Sequence, residues 1–295
     1  MLSIIIPFYN EKENLPLLIN SLKEELKKIK IKYEIIFVDD GSNDNYDKNL
    51  FNKKNLKLFF HHKRLGKGMA LKTGINKNNG DLICFMDADL QDDPKDLKKF
   101  IDKINQGFDF VNGYRLKRQD SFLVKIYSKL AQLFLKKFLK SPYSDINCGF
   151  KMFKKEVIED FIFYGNNFRF FPLYVYYQGF KVNEVVVNNQ PRRYGKTKFG
   201  KGKLIIGIFD TLTAYFLYKF SEKPLHFFGV VGGIFFIIGF LISLYLTIER
   251  LFFNVLLYRR PILFLGVLLI IVGVQIIMTG IIGELIVYLN KKKNG

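Results

Sequence analysis

The sequence predicts an α/β domain with a mostly parallel sheet over residues 1–200, followed by a membrane anchor of two helices. Three observations carry that expectation. Up to about residue 200, short apolar runs alternate with amphipathic, lysine-rich stretches, as in chains built from strand–helix units. Several of those runs end in acidic or glycine-containing clusters, where the ligand-binding loops of an open α/β sheet lie. Further on come two long apolar runs, each long enough to cross a hydrocarbon core of about 30 Å.

In chain order, strands are expected at Leu2–Ile6, Tyr33–Val38, Leu56–Phe60, Asp81–Met86, Phe108–Asn112 and Val182–Val187. Helical periodicity marks Glu13–Lys28, Lys67–Asn78 and Pro94–Gln106. Pro94 suits a first helical turn, where a missing N–H costs nothing. The segment Met1-Leu2-Ser3-Ile4-Ile5-Ile6-Pro7 lacks the basic region and cleavage site of a signal peptide and reads as the first strand.

Residues 201–224 are expected to form a juxtamembrane amphipathic segment, 225–290 two transmembrane helices and 291–295 a basic tail. The first apolar run, His226–Ile248, is uncharged; the second, Pro261–Leu289, is interrupted only by polar Gln275, Thr279 and Glu284. Gly229, Gly232, Gly233, Gly273, Gly280 and Gly283 allow close helix packing and permit a homo-oligomer. Glu284 is expected either to snorkel or to pair in an oligomer interface. Lys201, Lys203, Lys219 and Lys223 precede the first run and Lys291-Lys292-Lys293 follow the second, against Arg250, Arg259 and Arg260 between them. The positive-inside rule therefore puts both ends, and the α/β domain, on the cytoplasmic side of the inner membrane in a multi-pass protein. Phe122–Lys140 and Gly202–Phe220 carry lysine on one face and Leu/Phe on the other, as in helices lying in anionic headgroups; ordinary packed helices fit the first equally well.

Composition sets limits. Among 295 residues, 49% hydrophobic and 16% aromatic content excludes wholesale disorder. A formal net charge of +19 points to a polyanionic partner. No zinc-finger spacing or RNA-binding signature appears, and a membrane anchor accounts for basic surfaces without nucleic acid. Two cysteines, Cys84 and Cys148, indicate no disulfide framework.

The chemistry concentrates at strand ends. Asp87-Ala88-Asp89 closes the apolar run Leu82-Ile83-Cys84-Phe85-Met86. Two carboxylates spaced this way can approach Mg²⁺ or Mn²⁺ together with substrate phosphates, or simply form an acidic turn. Pro7-Phe8-Tyr9-Asn10-Glu11 ends the first strand and Asp39-Asp40-Gly41-Ser42 the second, where carboxylates can accept from a base N–H or a ribose hydroxyl. Arg64-Leu65-Gly66-Lys67-Gly68 opens a helix with glycines and two cations, a composition that suits phosphate. Arg192-Arg193-Tyr194-Gly195-Lys196-Thr197-Lys198 is a basic loop that reads as a second phosphate site or as a generic juxtamembrane stretch.

Taken together, Ser3–Glu11, Val38–Ser42, Gly66-Lys67-Gly68-x-Ala70-Leu71 and Asp87-Ala88-Asp89-Leu90-Gln91 resemble, in order and spacing, the family 2 glycosyltransferases of GT-A fold. The chain is most similar to the polyprenyl-phosphate sugar transferases, which include dolichol-phosphate mannose and glucose synthases and undecaprenyl-phosphate enzymes. Cys148-Gly149-Phe150-Lys151 and Arg192-x-x-Gly195-x-Thr197-Lys198 resemble that group's later signatures. The resemblance implies a nucleotide-sugar donor, a polyprenyl-phosphate acceptor and a divalent cation. It implies that Pro7, Tyr9, Glu11, Asp39, Asp40, Lys67 and Asp87 contact the donor and that Asp87, Asp89 and Gln91 hold the metal. Arg115, Arg192 and Lys198 would bind phosphates, and Asp89, Arg115 and Asp145 would be catalytic. Gly149 stands where some relatives have a second Asp, which puts a dedicated base in question. A uridine donor is favoured on resemblance alone, and the sugar stays open.

Two other readings remain at this point: a glycosyltransferase acting on a lipid hydroxyl, which would need a true base, and a non-catalytic membrane scaffold of the same fold. A processive synthase is disfavoured, because this chain has no Trp for the Gln-x-x-Arg-Trp signature.

Overall fold

The structure is a computed structural model and describes residues 1–116, 136–137, 140–163, 165, 167–191, 211–213, 215–253 and 261–294. It divides into two compact units, Met1–Ala214 and Tyr215–Gly295.

Among the described residues the first unit has seven strands: β1 (Leu2–Phe8), β2 (Tyr33–Asp39), β3 (Leu56–Phe60), β4 (Leu82–Phe85), β5 (Phe110–Arg115), β6 (Lys151–Lys154) and β7 (Val182–Val187). Their order across the sheet is β3-β2-β1-β4-β6-β5-β7. Parallel pairing joins β1 to β2 and β4, β2 to β3, and β5 to β7. β6 alone runs antiparallel, between β4 and β5. The helices are α1 (Asn14–Ile29), α2 (Lys67–Asn76), α3 (Leu97–Asn105) and α4 (Phe171–Tyr177).

Strand alternation sorts side chains onto the two faces. Leu2, Ile4, Ile6 and Phe8 of β1 join Leu15, Leu18, Leu22 and Leu26 of α1 in one core, with Phe100 of α3. Ile5 faces the other way, with Ile36 and Val38 of β2, Ala70 and Leu71 of α2, and Phe171 and Val175 of α4. Each such Val, Leu, Ile or Phe side chain, fully buried, contributes roughly 1.5–3 kcal/mol. Gly74 lets α2 lie close on the sheet, since a Cβ there would sit 2.3 Å from Ile5 Cγ2.

The expected strands all form, β3 and β7 with the expected ends and the others with shifted ends. β1 and β2 continue to Phe8 and Asp39, and β5 begins at Phe110 and runs to Arg115. Pro94–Asp96 is a 3₁₀ turn ahead of α3 rather than its first turn. Two elements escaped the sequence reading. β6 is only Lys-Met-Phe-Lys, with a lysine at each end instead of an apolar run. α4 is mostly aromatic, with Val175 among its residues, a composition that favours strands.

The architecture explains why a site forms at one edge. β1, β2, β3 and β4 all end there, β5 ends there beside them, and the loop leading into β6 arrives at the same edge because Lys151 pairs with both Phe85 and Asn112. From β1 the chain builds outward to β3 and then returns to place β4 on the other side of β1. The crevice between the carboxyl ends of β1 and β4 is such a reversal point, where open α/β sheets bind ligands.

The second unit contains α5 (Pro224–Phe253) and α6 (Pro261–Asn294). Both are long and apolar enough to cross a membrane: an 18-residue stretch of each has a mean hydropathy of 2.5 and 2.8 respectively. Gly232, Gly273 and Gly280 work as anticipated, inside this helix pair: a Cβ on Gly232 would meet the Gly273 carbonyl at 2.6 Å, one on Gly273 the Phe236 N at 2.6 Å, and one on Gly280 the Phe228 Cβ at 2.8 Å. Gly283 touches Pro224, whereas Gly233 faces open space. Glu284 makes a contact within the helix pair. Its Oε2 accepts from the Leu225 backbone N–H at 3.3 Å, capping the opening turn of α5.

Candidate active site

The first two strand-end loops are clipped together. Asn10, in a left-handed conformation (φ 56°), donates its N–H to Ser42 Oγ at 2.9 Å and accepts from the Asn43 N–H at 2.9 Å. Asp39 is occupied within its own turn, with Oδ1 accepting from Ser42 N–H at 2.8 Å and Oδ2 from the Tyr46 hydroxyl at 2.8 Å. Asp40 organises the third loop. Its carboxylate accepts from the Leu65 N–H at 2.8 Å and the Gly66 N–H at 2.9 Å, and meets His61 Nδ1 at 3.0 Å. Gly41 makes this approach possible, because at φ +77° a Cβ would stand 2.7 Å from the Lys63 carbonyl carbon. The Arg64 guanidinium is thereby laid over the Tyr9 ring, 4.3 Å from its centroid.

Between β1 and β4 the predicted residues Pro7, Tyr9, Glu11, Asp40, Lys67, Asp87 and Asp89 line one open cleft, together with Phe8, Arg64 and Ala88. Asp39 and Gln91 are not part of that lining. Asp87 pairs with Lys67, the first residue of α2. Burial would raise the Asp87 carboxyl, but the charge of Lys67, with Arg115 and Lys151 beyond it, holds it below the usual carboxylate range. Asp89 is buried and accepts from the Gln91 N–H at 3.2 Å, across a turn in which Leu90 adopts φ 60°. That conformation is uncommon for a residue with a side chain and is often found at functional sites.

Arg115 and Asp145 form a separate, bidentate pair: Nε donates to Oδ2 at 2.6 Å and Nη2 to Oδ1 at 3.1 Å. A polar network holds Asp145 in place. The Asn112 side-chain amide donates to its carbonyl at 2.8 Å, and Glu184 of β7 accepts from the N–H groups of Ser144 at 2.8 Å and Asp145 at 3.4 Å. The following loop then touches the cleft. Gly149 lies so close to Asp87 that a Cβ would be 2.6 Å from Oδ2, so the place of a second Asp is taken by the Asp87 carboxylate itself. Arg192 and Lys198 lie outside the described residues, as do most of Phe122–Lys140 and Gly202–Phe220.

Three polar groups here, two of them buried, had no role assigned from the sequence. Asp92 accepts from the Asp87 N–H at 3.2 Å, and burial, then the Asp87 charge, pushes its carboxyl up to about 7. Lys151 Nζ is enclosed by Asn112 Oδ1 at 3.1 Å, the Ile146 carbonyl at 3.2 Å and the Cys148 carbonyl, and burial lowers it to about 8. Glu184 is the third. Asp92 and Lys151 sit inside motifs the sequence displayed, whereas nothing local distinguishes Glu184 from a solvated strand residue.

The donor set suits a hard cation shared with a substrate. Among the described residues no group of three His, Cys, Asp or Glu side chains is arranged to hold a metal alone. Asp87 and Asp89 instead offer two carboxylates at the cleft, and Mg²⁺ commonly takes one or two carboxylates plus substrate phosphates.

Comparison with known proteins agrees with this geometry. Residues 3–162 match the model of Glycosyl transferase family 2. The undecaprenyl-phosphate 4-deoxy-4-formamido-L-arabinose transferase of Photorhabdus laumondii subsp. laumondii is 31% identical over 290 residues, covering 96% of this chain and 88% of that protein. The dodecaprenyl-phosphate galacturonate synthase of Rhizobium johnstonii is 30% identical over 97% of this chain and 87% of its own length. Among solved structures, glucosyl-3-phosphoglycerate synthase of Mycobacterium tuberculosis, in complex with Mn²⁺, UDP-glucose and phosphoglyceric acid, superposes with a TM-score of 0.58 at 16% identity, covering 73% of this chain and 79% of that one. Mannosyl-3-phosphoglycerate synthase of Rubrobacter xylanophilus gives 0.59 at 15% identity, over 73% and 72%. These two carry the fold, and the family model and the full-length relatives carry the kinship: the chain belongs to glycosyl transferase family 2.

Proposed function

We propose that this protein transfers a sugar from a nucleoside-diphosphate donor to the phosphate of a polyprenyl lipid, with inversion at the anomeric carbon. The observation that carries this reading is the extent of likeness. Relatives named for undecaprenyl- and dodecaprenyl-phosphate match 96–97% of the chain, through both apolar helices as well as the α/β unit. The helices would cross the membrane as a hairpin with both ends cytoplasmic, in line with the basic residues that flank them.

In this reading the donor lies in the cleft between β1 and β4, its nucleoside toward Tyr9 and Glu11 and its diphosphate toward Arg64 and Lys67. Asp87 and Asp89, with Gln91 nearby, would hold a divalent cation, which when bound neutralises charge on the departing nucleoside diphosphate. An acceptor phosphate oxygen forms the new bond to the anomeric carbon. The bond from that carbon to the donor β-phosphate oxygen breaks, and its electron pair leaves with the diphosphate. No proton has to move, because a phosphate monoester has its second pKa near about 6 and is largely anionic at neutral pH. Asp145 accordingly positions Arg115: a carboxylate held by two hydrogen bonds from a guanidinium is a poor base.

The test is a donor screen on the detergent-solubilised protein with undecaprenyl phosphate and Mg²⁺ or Mn²⁺, reading out lipid-linked sugar, and repeated with EDTA. Transfer that EDTA abolishes and either cation restores supports the reading. No transfer from any nucleotide sugar, or a product with retained anomeric configuration, overturns it.

A further inference from the structure

A second, narrower cavity shares Lys67 and Asp87 with the donor cleft and is otherwise walled in part by Gly149, Lys151 and Arg169. It contains three cationic side chains against one carboxylate. Two of the three already have partners on this side: Lys67 has Asp87, and Lys151 has Asn112 Oδ1 and the carbonyls of Ile146 and Cys148. Arg169, half-buried on the 3₁₀ turn Asn167–Phe170, pairs with no carboxylate among the described residues. The cavity volume is ≈ 30 Å³. A single water needs about 10–15 Å³ on this measure. The space therefore suits a phosphate-sized group and is too small for a hexose ring.

Direct displacement requires nucleophile and leaving group on opposite sides of the anomeric carbon. The donor cleft and this cavity are two spaces that meet at Asp87 and Lys67. We infer that Arg169 binds the phosphate of the lipid acceptor in this cavity, presenting its oxygen toward the sugar held at Asp87. The guanidinium fork matches a phosphate through two parallel hydrogen bonds, which an ammonium cannot reproduce. This assignment rests on the reaction proposed above. The donor β-phosphate is the other phosphate within reach, so the experiment separates the two.

Farnesyl phosphate and farnesol, which differ only in the phosphate, are titrated onto the full-length protein and onto Arg169→Gln and Arg169→Lys without donor. Steady-state kinetics are then run with undecaprenyl phosphate and the nucleotide sugar chosen by the donor screen. Arg169→Gln is expected to weaken farnesyl phosphate binding about tenfold or more. Farnesol binding and donor KM should stay within about twofold of wild type, acceptor KM should rise, and Arg169→Lys should recover only part of the loss. An unchanged farnesyl phosphate affinity overturns the assignment, as does a rise in donor KM with acceptor KM unmoved, which would give Arg169 to the donor. Binding is measured without turnover, so failure of sugar transfer counts against the proposed reaction and not against Arg169.

Discussion

Replacing Asp145 by Asn separates a base from a positioning residue. The substitution keeps the side-chain shape but turns one accepting oxygen into an NH₂ group facing the Arg115 guanidinium. The pair is bidentate, with bonds of 2.6 and 3.1 Å, and the side chains are only 2% (Asp145) and 18% (Arg115) exposed. Breaking a buried pair costs about 3–5 kcal/mol; because Asn retains one acceptor, about 2–3 kcal/mol is expected. For a domain of this size that lowers Tm by roughly 4–12 °C. Loss of a true general base would cost about 10²–10⁴ in rate. Here kcat should fall only about tenfold, through a displaced Arg115, and the pH profile should keep its shape. Thermal unfolding and a pH series of kcat on the detergent-solubilised enzyme measure both. A thousandfold fall in kcat, with donor binding intact and the acid limb of the profile gone, would refute the reasoning and restore Asp145 as the base.

Three further outcomes follow from the geometry. Gly149→Ala places a Cβ 2.6 Å from Asp87 Oδ2, and the displaced carboxylate should raise the Mn²⁺ concentration for half-maximal activity by about tenfold; an unchanged Mn²⁺ titration would show that the loop yields instead. Lys67→Met removes the nearest charge that holds the Asp87 carboxyl low against burial, so the acid limb of donor binding should move to higher pH, as binding measured from pH 5 to 8 would reveal. Glu34, joined to Ser3 Oγ at 2.6 Å, the Asn79 N–H at 2.6 Å and Lys57 at 2.7 Å, is held below its ordinary 4.5 although burial pushes the other way. Its contribution is complete above about pH 4.5 and is lost as pH falls through the lowered value. The Tm gap between wild type and Glu34→Gln should therefore narrow on acidification, and a constant gap would rule out this linkage.

Much of the fold was legible because its strands are apolar runs with breaks between them. Leu56–Phe60 and Val182–Val187 form with the expected ends, and the acidic clusters do stand after β1, β2 and β4. β6 was invisible because its lysines have partners only in the folded chain. Lys151 donates to carbonyls and to Asn112, and Lys154 pairs with Asp109 at 2.6 Å. The acidic residues were legible as a group but not individually. Asp39 and Asp40 are neighbours of one type, yet the first is held within its own turn and the second organises the loop that carries Arg64.

By itself, the sequence determined the strand–helix alternation, the order of the motifs and the two apolar helices, because periodicity, turn chemistry and hydropathy are local properties. The tertiary structure decided what those motifs do to one another. Insertion of antiparallel β6 between β4 and β5 carries the Asp145–Gly149 loop to the edge where Asp87 emerges. That placement pairs Asp145 with Arg115, puts Gly149 against Asp87 and leaves Arg169 facing a phosphate-sized space. Contacts of this kind follow from strand pairing across the whole sheet, and no local stretch of residues encodes them.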